Sequence, residues 1–271
     1  MRSTWTRVFH GISTRRRSSL KSRARILAPV VVITLLVALW WVAVAFSRSP
    51  IFPTPWQVVL GIVELARQGL LLRHILASLF RVTLGYLLAA TLAIPLGILM
   101  GWFQGAYEAF NPLIQILRPI SPIAWIPLAI LWFGVGDLSP MFLIFLSSFF
   151  PMVVETTAGV HTIERNYILA ARNFGVSSLK LFRLVILPAA LPQIIIGMRI
   201  SLGVAWLVVV AAEMIASTSG LGYLIIDSRN AGNRYDLVVA GMVIIGAIGL
   251  LLDGLMRHLE QLDEVRWRYG D

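Results

Sequence analysis

The chain has 271 residues, of which 58% are hydrophobic, 13% charged and none cysteine, and it carries a formal net charge of +10. Soluble domains sit near ~45–50% apolar and ~25% charged, so a mean hydropathy of +0.82 is a membrane composition and excludes intrinsic disorder. Without cysteine, a disulfide-stapled module and thiolate zinc or iron–sulfur sites are excluded too. At ~20 apolar residues per spanning helix, the length fits about six spans.

Residues 1–25 carry eight Arg or Lys and no acid, and an uncharged apolar run of 21 residues follows at 26–46. That run is read as the first span. Arg16-Arg17-Ser18-Ser19-Leu20-Lys21 ahead of it is similar to a twin-arginine signal, with Ala43-Val44-Ala45 as a small-x-small cleavage site. The apolar run, however, exceeds the ~7–15 residues of a signal-peptide core. Pro50, Pro53 and Pro55 punctuate an extended stretch. Residues 56–72 then place apolar side chains at helical spacing with Glu64 and Arg67 on the other side, which predicts an amphipathic helix on the membrane surface.

Span two is predicted over 82–103, with Pro95 inside, and span three over 113–133, interrupted by Arg118, Pro119, Pro122 and Pro127. Span four covers 141–160, with Glu155 near its end. A polar stretch over 161–183 precedes span five, which lies within 188–215 and carries Arg199 and Glu213. Residues 217–236, rich in Gly, Ser, Asn and Asp, read as a loop. Span six is 237–256, with Asp253 near its end. The fold class is therefore an all-α polytopic membrane bundle of about six helices: a basic arm (1–25), a transmembrane domain (26–256) and a polar tail (257–271).

Six spans put both termini on one side. The arm, the 161–183 stretch and the tail hold 15 of the 23 basic residues, while the opposite loops hold five. The positive-inside bias then places both termini in the cytoplasm and reads the charge as orientation, with no need of a nucleic-acid partner. Arg81, Arg118 and Arg199 remain in or at the edge of spans. Arg81 and Asp253 are expected to snorkel at interfaces. Arg199 and Glu213, on one helix about 21 Å apart at 1.5 Å per residue, each need a partner on another span. Arg118, in the most broken segment, is the best-placed cation to meet an anion, with pairing to Glu155 or Glu213 as the structural alternative. The many prolines favour a transport pathway, since broken backbone at membrane depth is tolerated against neighbouring helices or a watery cavity. Gly97 and Gly101, and Gly241 with Gly246 and Gly249, allow close helix approach in a tight bundle or dimer.

Residues 164–192 are the most informative. A short helix over 167–174, Gly175 as its stop, Ser177 or Ser178 as the next N-cap and a second helix ending at Leu187-Pro188 make an elbow between two spans. Tyr167, Leu169, Ala170 and Phe174 face water and need a cover, either a partner or the bilayer surface. Ala170-Ala171, three residues, Gly175, nine residues and Val185-Ile186-Leu187-Pro188 resemble the "EAA" loop of ABC-importer permeases. The family's leading glutamate is Leu169 here, with Glu164 five residues earlier. Stretches 51–55, 74–81, 118–127, 131–137, 149–151 and 205–213 are similar to the nitrate/sulfonate/taurine-type permeases, and 118–127 is most similar to the nitrate and bicarbonate branch.

The resemblance implies a type I ABC-importer transmembrane subunit that moves a small anion across a bacterial plasma membrane, works as a pair (a homodimer is expected) and accepts solute from a periplasmic or lipid-anchored binding protein. It implies ATPase coupling through Tyr167, Leu169, Ala170, Ala171, Phe174 and Gly175 within the loop 161–187, and a substrate pathway comprising Arg118, Trp125, Arg199 and Glu213. No Walker-type motif occurs, so ATP and Mg are expected on a separate ATPase, and neither enzyme activity, cofactor nor metal is expected in this chain. Two other classes compete. A secondary transporter or channel working without an ATPase also uses broken helices and intramembrane charges. A membrane-embedded enzyme needs clustered catalytic groups, whereas His10, His74, His161 and His258 fall outside the predicted spans.

Overall fold

A computed structural model describes residues 28–47 and 51–260, and all of the regular structure among them is helical. The basic arm, His10 and most of the polar tail lie outside the described residues. Contacts divide the chain into two units that meet in sequence at Gly61 and Ile62. The first contains α1 (Ala28–Ser47), whose apolar surface is uncovered by its own unit, close to the predicted 26–46.

Helix α2 (Pro55–Arg67) opens with a capping box. Thr54 N–H donates to Gln57 Oε1 at 2.7 Å and Gln57 N–H to Thr54 Oγ1 at 3.3 Å, with Pro55 at the first helical position. Trp56, Val59, Leu60 and Val63, at the i, i+3, i+4, i+7 spacing of one face, are all exposed. The helix ends earlier than expected, because Gly69 takes a left-handed conformation (φ +70°) and starts a new helix.

That helix, α3 (Leu70–Trp102), is 33 residues long and begins twelve residues before the predicted span. Arg73, His74 and Arg81 masked its first three turns, and His74 therefore lies on a membrane-length helix, contrary to expectation. Arg81 does not snorkel; it is 1% exposed. The predicted third span is two helices, α4 (Gln104–Leu117) and, after the single turn Pro122–Trp125, α5 (Ile126–Phe133), bent by 84°. The bend falls where Pro119 and Pro122 remove backbone donors and Ser121, before Pro122, is held out of the helical region (ψ 130°). Helix α6 (Leu138–His161) packs between α3 and α9.

The elbow is α7 (Arg165–Asn173) followed by α8 (Ser178–Leu181). The second helix does not end at Leu187-Pro188 as predicted. A π-helical turn (Phe182–Ile186), closed by Leu187 N–H on the Phe182 carbonyl, leads directly into α9 (Leu187–Ala216). The wider i→i+5 turn accommodates the donor that Pro188 lacks. The predicted 217–236 loop contains a further helix, α10 (Leu221–Asn230), hidden by its polar composition, before α11 (Tyr235–Glu260). Among the described residues five helices are long and apolar enough to cross a membrane, or six if the bent α4–α5 pair is one span.

Lipid tails are as apolar as leucine, so close packing rather than water exclusion joins helices in a membrane. Gly85, Ala89, Ala93, Gly97 and Gly101 form a stripe at four-residue intervals on α3. A Cβ at Gly97 would stand 2.6 Å from Thr156 Cβ, and one at Gly85 2.8 Å from Ile144 Cγ2, so backbone contact with α6 depends on glycine. Two apolar clusters complete the packing: Ile126, Ala129, Leu143, Val208 and Ala212 at one place, and Val160, Leu181, Ile186, Ala190 and Ile194 beneath the elbow.

Candidate functional site

The helices arrange the charges of the bundle in three settings. In the first, Arg81 on α3 is saturated. Its Nη1 donates to Glu213 Oε1 on α9 at 2.6 Å, and its Nε and Nη2 donate to Asp137 Oδ1 at 2.8 and 2.6 Å. Nη1 and Nη2 also donate to the Ser219 carbonyl at 2.7 Å and to Ser219 Oγ at 2.5 Å. Glu213, fully buried, also accepts from Ser78 Oγ and from Gly222 N–H. Ser78 Oγ in turn accepts Leu221 N–H, and His74 Nδ1 accepts Gly220 N–H. Gly220 (φ +105°) is required here, since a Cβ would run into the Glu213 carboxylate. The network ties α3 to α9 and to the connections before α6 and α10. A buried pair completed in this way is costly to break from one side.

The second setting is a cavity of about 160 Å³ at the bend between α4 and α5, lined by Arg118, Trp125, Ser147, Phe150, Pro151 and Val204 among others. Trp125 is half-buried and Arg118 exposed. Among the described residues the Arg118 side chain makes no hydrogen bond or ion pair. Neither acid expected as its alternative partner is bonded to it: Glu213 is taken by Arg81, and Glu155 accepts from Gln193 Nε2 at 2.6 Å. The third setting is Arg199, which meets Asp253 on α11 at 2.8 Å, with Arg257 on the other carboxylate oxygen at 2.9 Å. Both Arg199 and Glu213 thus find partners on other helices, and Glu213 lies within the saturated network.

The elbow has two faces. Helix α7 closes with Gly175 in the left-handed region (φ +70°), its N–H on the Arg172 carbonyl and Val176 N–H on the Ala171 carbonyl. This is the Schellman arrangement, completed by burying the flanking apolar residues. Ile168, Ala171 and Val176 pack onto the cluster of Val160, Leu181 and Ile186. On the other face Tyr167, Leu169 and Phe174 are exposed, Phe174 by 87%, and Ala170 is exposed beside them.

Reading charges one span at a time missed the Arg81 network. The available signal was that three stretches quoted for their similarity to permeases, 74–81, 131–137 and 205–213, each end on a charge: Arg81, Asp137 and Glu213. The structure joins those three ends.

The model of a family described as binding-protein-dependent transport system inner membrane component matches residues 93–262. The chain is 39% identical to a taurine transport system permease protein of Escherichia coli over 84% of its own length and 86% of the relative's. It is 34% identical to a nitrate import permease protein of Synechocystis over 88% and 89%. Its fold is similar to a chain of a bacterial alginate ABC transporter in complex with an alginate-bound periplasmic protein. The TM-score there is 0.61 at 14% identity, covering 89% of this chain and 95% of that one.

Proposed function

The chain belongs to the family of binding-protein-dependent transport system inner membrane components, and from that premise we propose that it is the permease subunit of an ATP-driven importer for a small oxyanion. It is a multi-pass membrane transport subunit with the type I ABC importer fold. In this reading two copies form the pathway, both termini are cytoplasmic, a solute-binding protein delivers the anion, and separate ATPase subunits hydrolyse ATP.

The observation that carries the coupling role is the two-faced elbow. Its inner residues are fixed to the bundle while Tyr167, Leu169 and Phe174 present an apolar patch to solvent. Anchored backbone with an uncovered apolar face is what a rigid contact with a moving partner requires. Ala170, Ala171 and Gly175 shape the turn that presents it. Arg118 and Trp125 are assigned to the anion pathway, because a guanidinium with no partner among the described residues on a cavity wall suits an oxyanion. Taurine and nitrate, named for two relatives, both carry one.

Phe174→Asp and Leu169→Asp test the coupling. They are expected to abolish co-purification with the ATPase subunit and at least tenfold of ATP-dependent uptake, with the permease's thermal unfolding unchanged. Wild-type association and uptake in both variants would overturn the assignment.

A further inference from the structure

The cavity beside Arg118 has a counterpart. A second cavity, of about 170 Å³, is lined by Tyr107 and Asn111 on α4 and by Val154, Ala158 and His161 on α6, among others. Its walls repeat those of the first at an offset of seven residues. Asn111 takes the place of Arg118 on the α4 side, while Val154, Thr157 and Ala158 take those of Ser147, Phe150 and Pro151 on α6. Residue numbers fall along α4 as they rise along α6, so the two helices run antiparallel and wall one cleft. Seven residues at 1.5 Å each set the cavities about 10 Å apart. The second lies at the elbow end, because His161 closes α6 and stands four residues before Arg165, where α7 begins.

This cavity is furnished with hydrogen-bond donors. The Tyr107 hydroxyl, the Asn111 Nδ2 and the His161 imidazole make no hydrogen bond among the described residues. The Tyr107 and His161 rings lie 5.1 Å apart, and Gln115 Nε2 occupies the Asn111 Oδ1 acceptor at 3.4 Å. Thr157 adds no donor, since its hydroxyl is engaged by the Gly97 and Val153 carbonyls. None of the lining residues is acidic. Three unengaged donors without a carboxylate suit a ligand that only accepts. At about 30 Å³ of liquid per water, the space holds a small oxyanion and little more.

We infer that Tyr107, Asn111 and His161 form an inner station for the transported oxyanion, two helical turns from Arg118 towards the elbow. The inference rests on the anion-import reading and specifies its route. Phenol and amide donors hold an oxyanion more loosely than the bidentate fork of a guanidinium. A permeating ion must bind well enough to enter and weakly enough to leave. The ion therefore passes from the stronger site to the weaker one, and leaves for the cytoplasm beside the elbow.

The chain has no cysteine, so Ala158→Cys places its one thiol on the wall of this cavity, at a half-buried residue without a donor. In the purified permease–ATPase complex, the rate at which that thiol reacts with anionic sulfonatoethyl methanethiosulfonate is measured with nitrate, the probe ion, replacing gluconate at constant ionic strength. Nitrate is expected to slow the reaction at least threefold. Adding Tyr107→Phe and Asn111→Leu, which remove two donors and keep the ring, is expected to abolish that protection. The rate with neutral methyl methanethiosulfonate should stay within twofold, which shows that the cavity remains open. No protection in Ala158→Cys alone, or protection that persists after both donors are removed, overturns the inference. ATP-driven anion uptake by the wild type is read separately: its failure removes the import reading, whereas absent protection with uptake intact removes only the inner station.

Discussion

Arg81 and Arg118 are arginines at opposite extremes of the same bundle. Arg81 is 1% exposed and makes five hydrogen bonds to Glu213, Asp137 and Ser219, matching the five N–H donors of a guanidinium. Arg118 stands exposed at the lip of a cavity and makes none among the described residues. Arg199 lies between them, paired but open on a cavity. The difference teaches that an intramembrane charge alone does not mark a ligand site. A charge whose every donor is engaged holds helices together, and one with donors to spare is available to an ion.

The comparison breaks most sharply at Glu213. Glu213→Ala leaves Arg81 buried with its close partner gone and is expected to destabilise the bundle by about 3–5 kcal/mol, seen as loss of folded protein in detergent-based thermal unfolding. A wild-type unfolding temperature would contradict the structural role. Ser78→Ala removes the hydroxyl that joins Glu213 to the Leu221 N–H and is expected to cost about 1–3 kcal/mol. The same unfolding measurement checks it, and a smaller loss than for Glu213→Ala is predicted. Arg118→Gln should sharpen the contrast from the other side, with stability within about 0.5 kcal/mol of wild type but at least tenfold slower anion uptake. Unchanged kinetics would remove Arg118 from the pathway.

The smallest effect is at the periphery. Arg234 reaches Glu64 at 2.6 Å and Asp236 at 2.8 Å, all partly exposed. The hydrogen bond from Arg234 holds the Glu64 carboxyl below its ordinary range, and its two acidic partners, Asp236 first, raise the Arg234 guanidinium further above neutrality. A lowered folded-state value means this contribution is present above the unfolded carboxylate value of about 4.3. It is lost as the pH falls through the lower folded value. Solvent screening keeps it under about 1 kcal/mol. Glu64→Gln should therefore change thermal unfolding slightly at pH 7 and not at all once the pH lies below both values.

Much of this was legible in the residues. Hydropathy located every long apolar core, and Gly175 marked the end of α7 because only the left-handed turn there permits both closing hydrogen bonds. The similarity of 164–192 to permease loops pointed to the elbow. The start of α3 was not legible, because Arg73, His74 and Arg81 look like an interface until Asp137 and Glu213, 56 and 132 residues away, are seen to neutralise Arg81. Helix α10 was hidden for a related reason. Gly220 and Gly222 read as loop glycines, yet they are small so that Glu213 can accept the Gly222 amide at the helix start. Long-range partners decide such segments, and local pattern does not carry them.

The central claim is that this chain moves an anion only when driven through the exposed face of its elbow. It is tested most directly in proteoliposomes containing the permease, its ATPase and its binding protein, by following accumulation of a labelled oxyanion with and without ATP. Wild type is predicted to concentrate the anion only with ATP, and Phe174→Asp to fail while remaining folded. Accumulation by the permease alone, or by Phe174→Asp at the wild-type rate, would contradict the account.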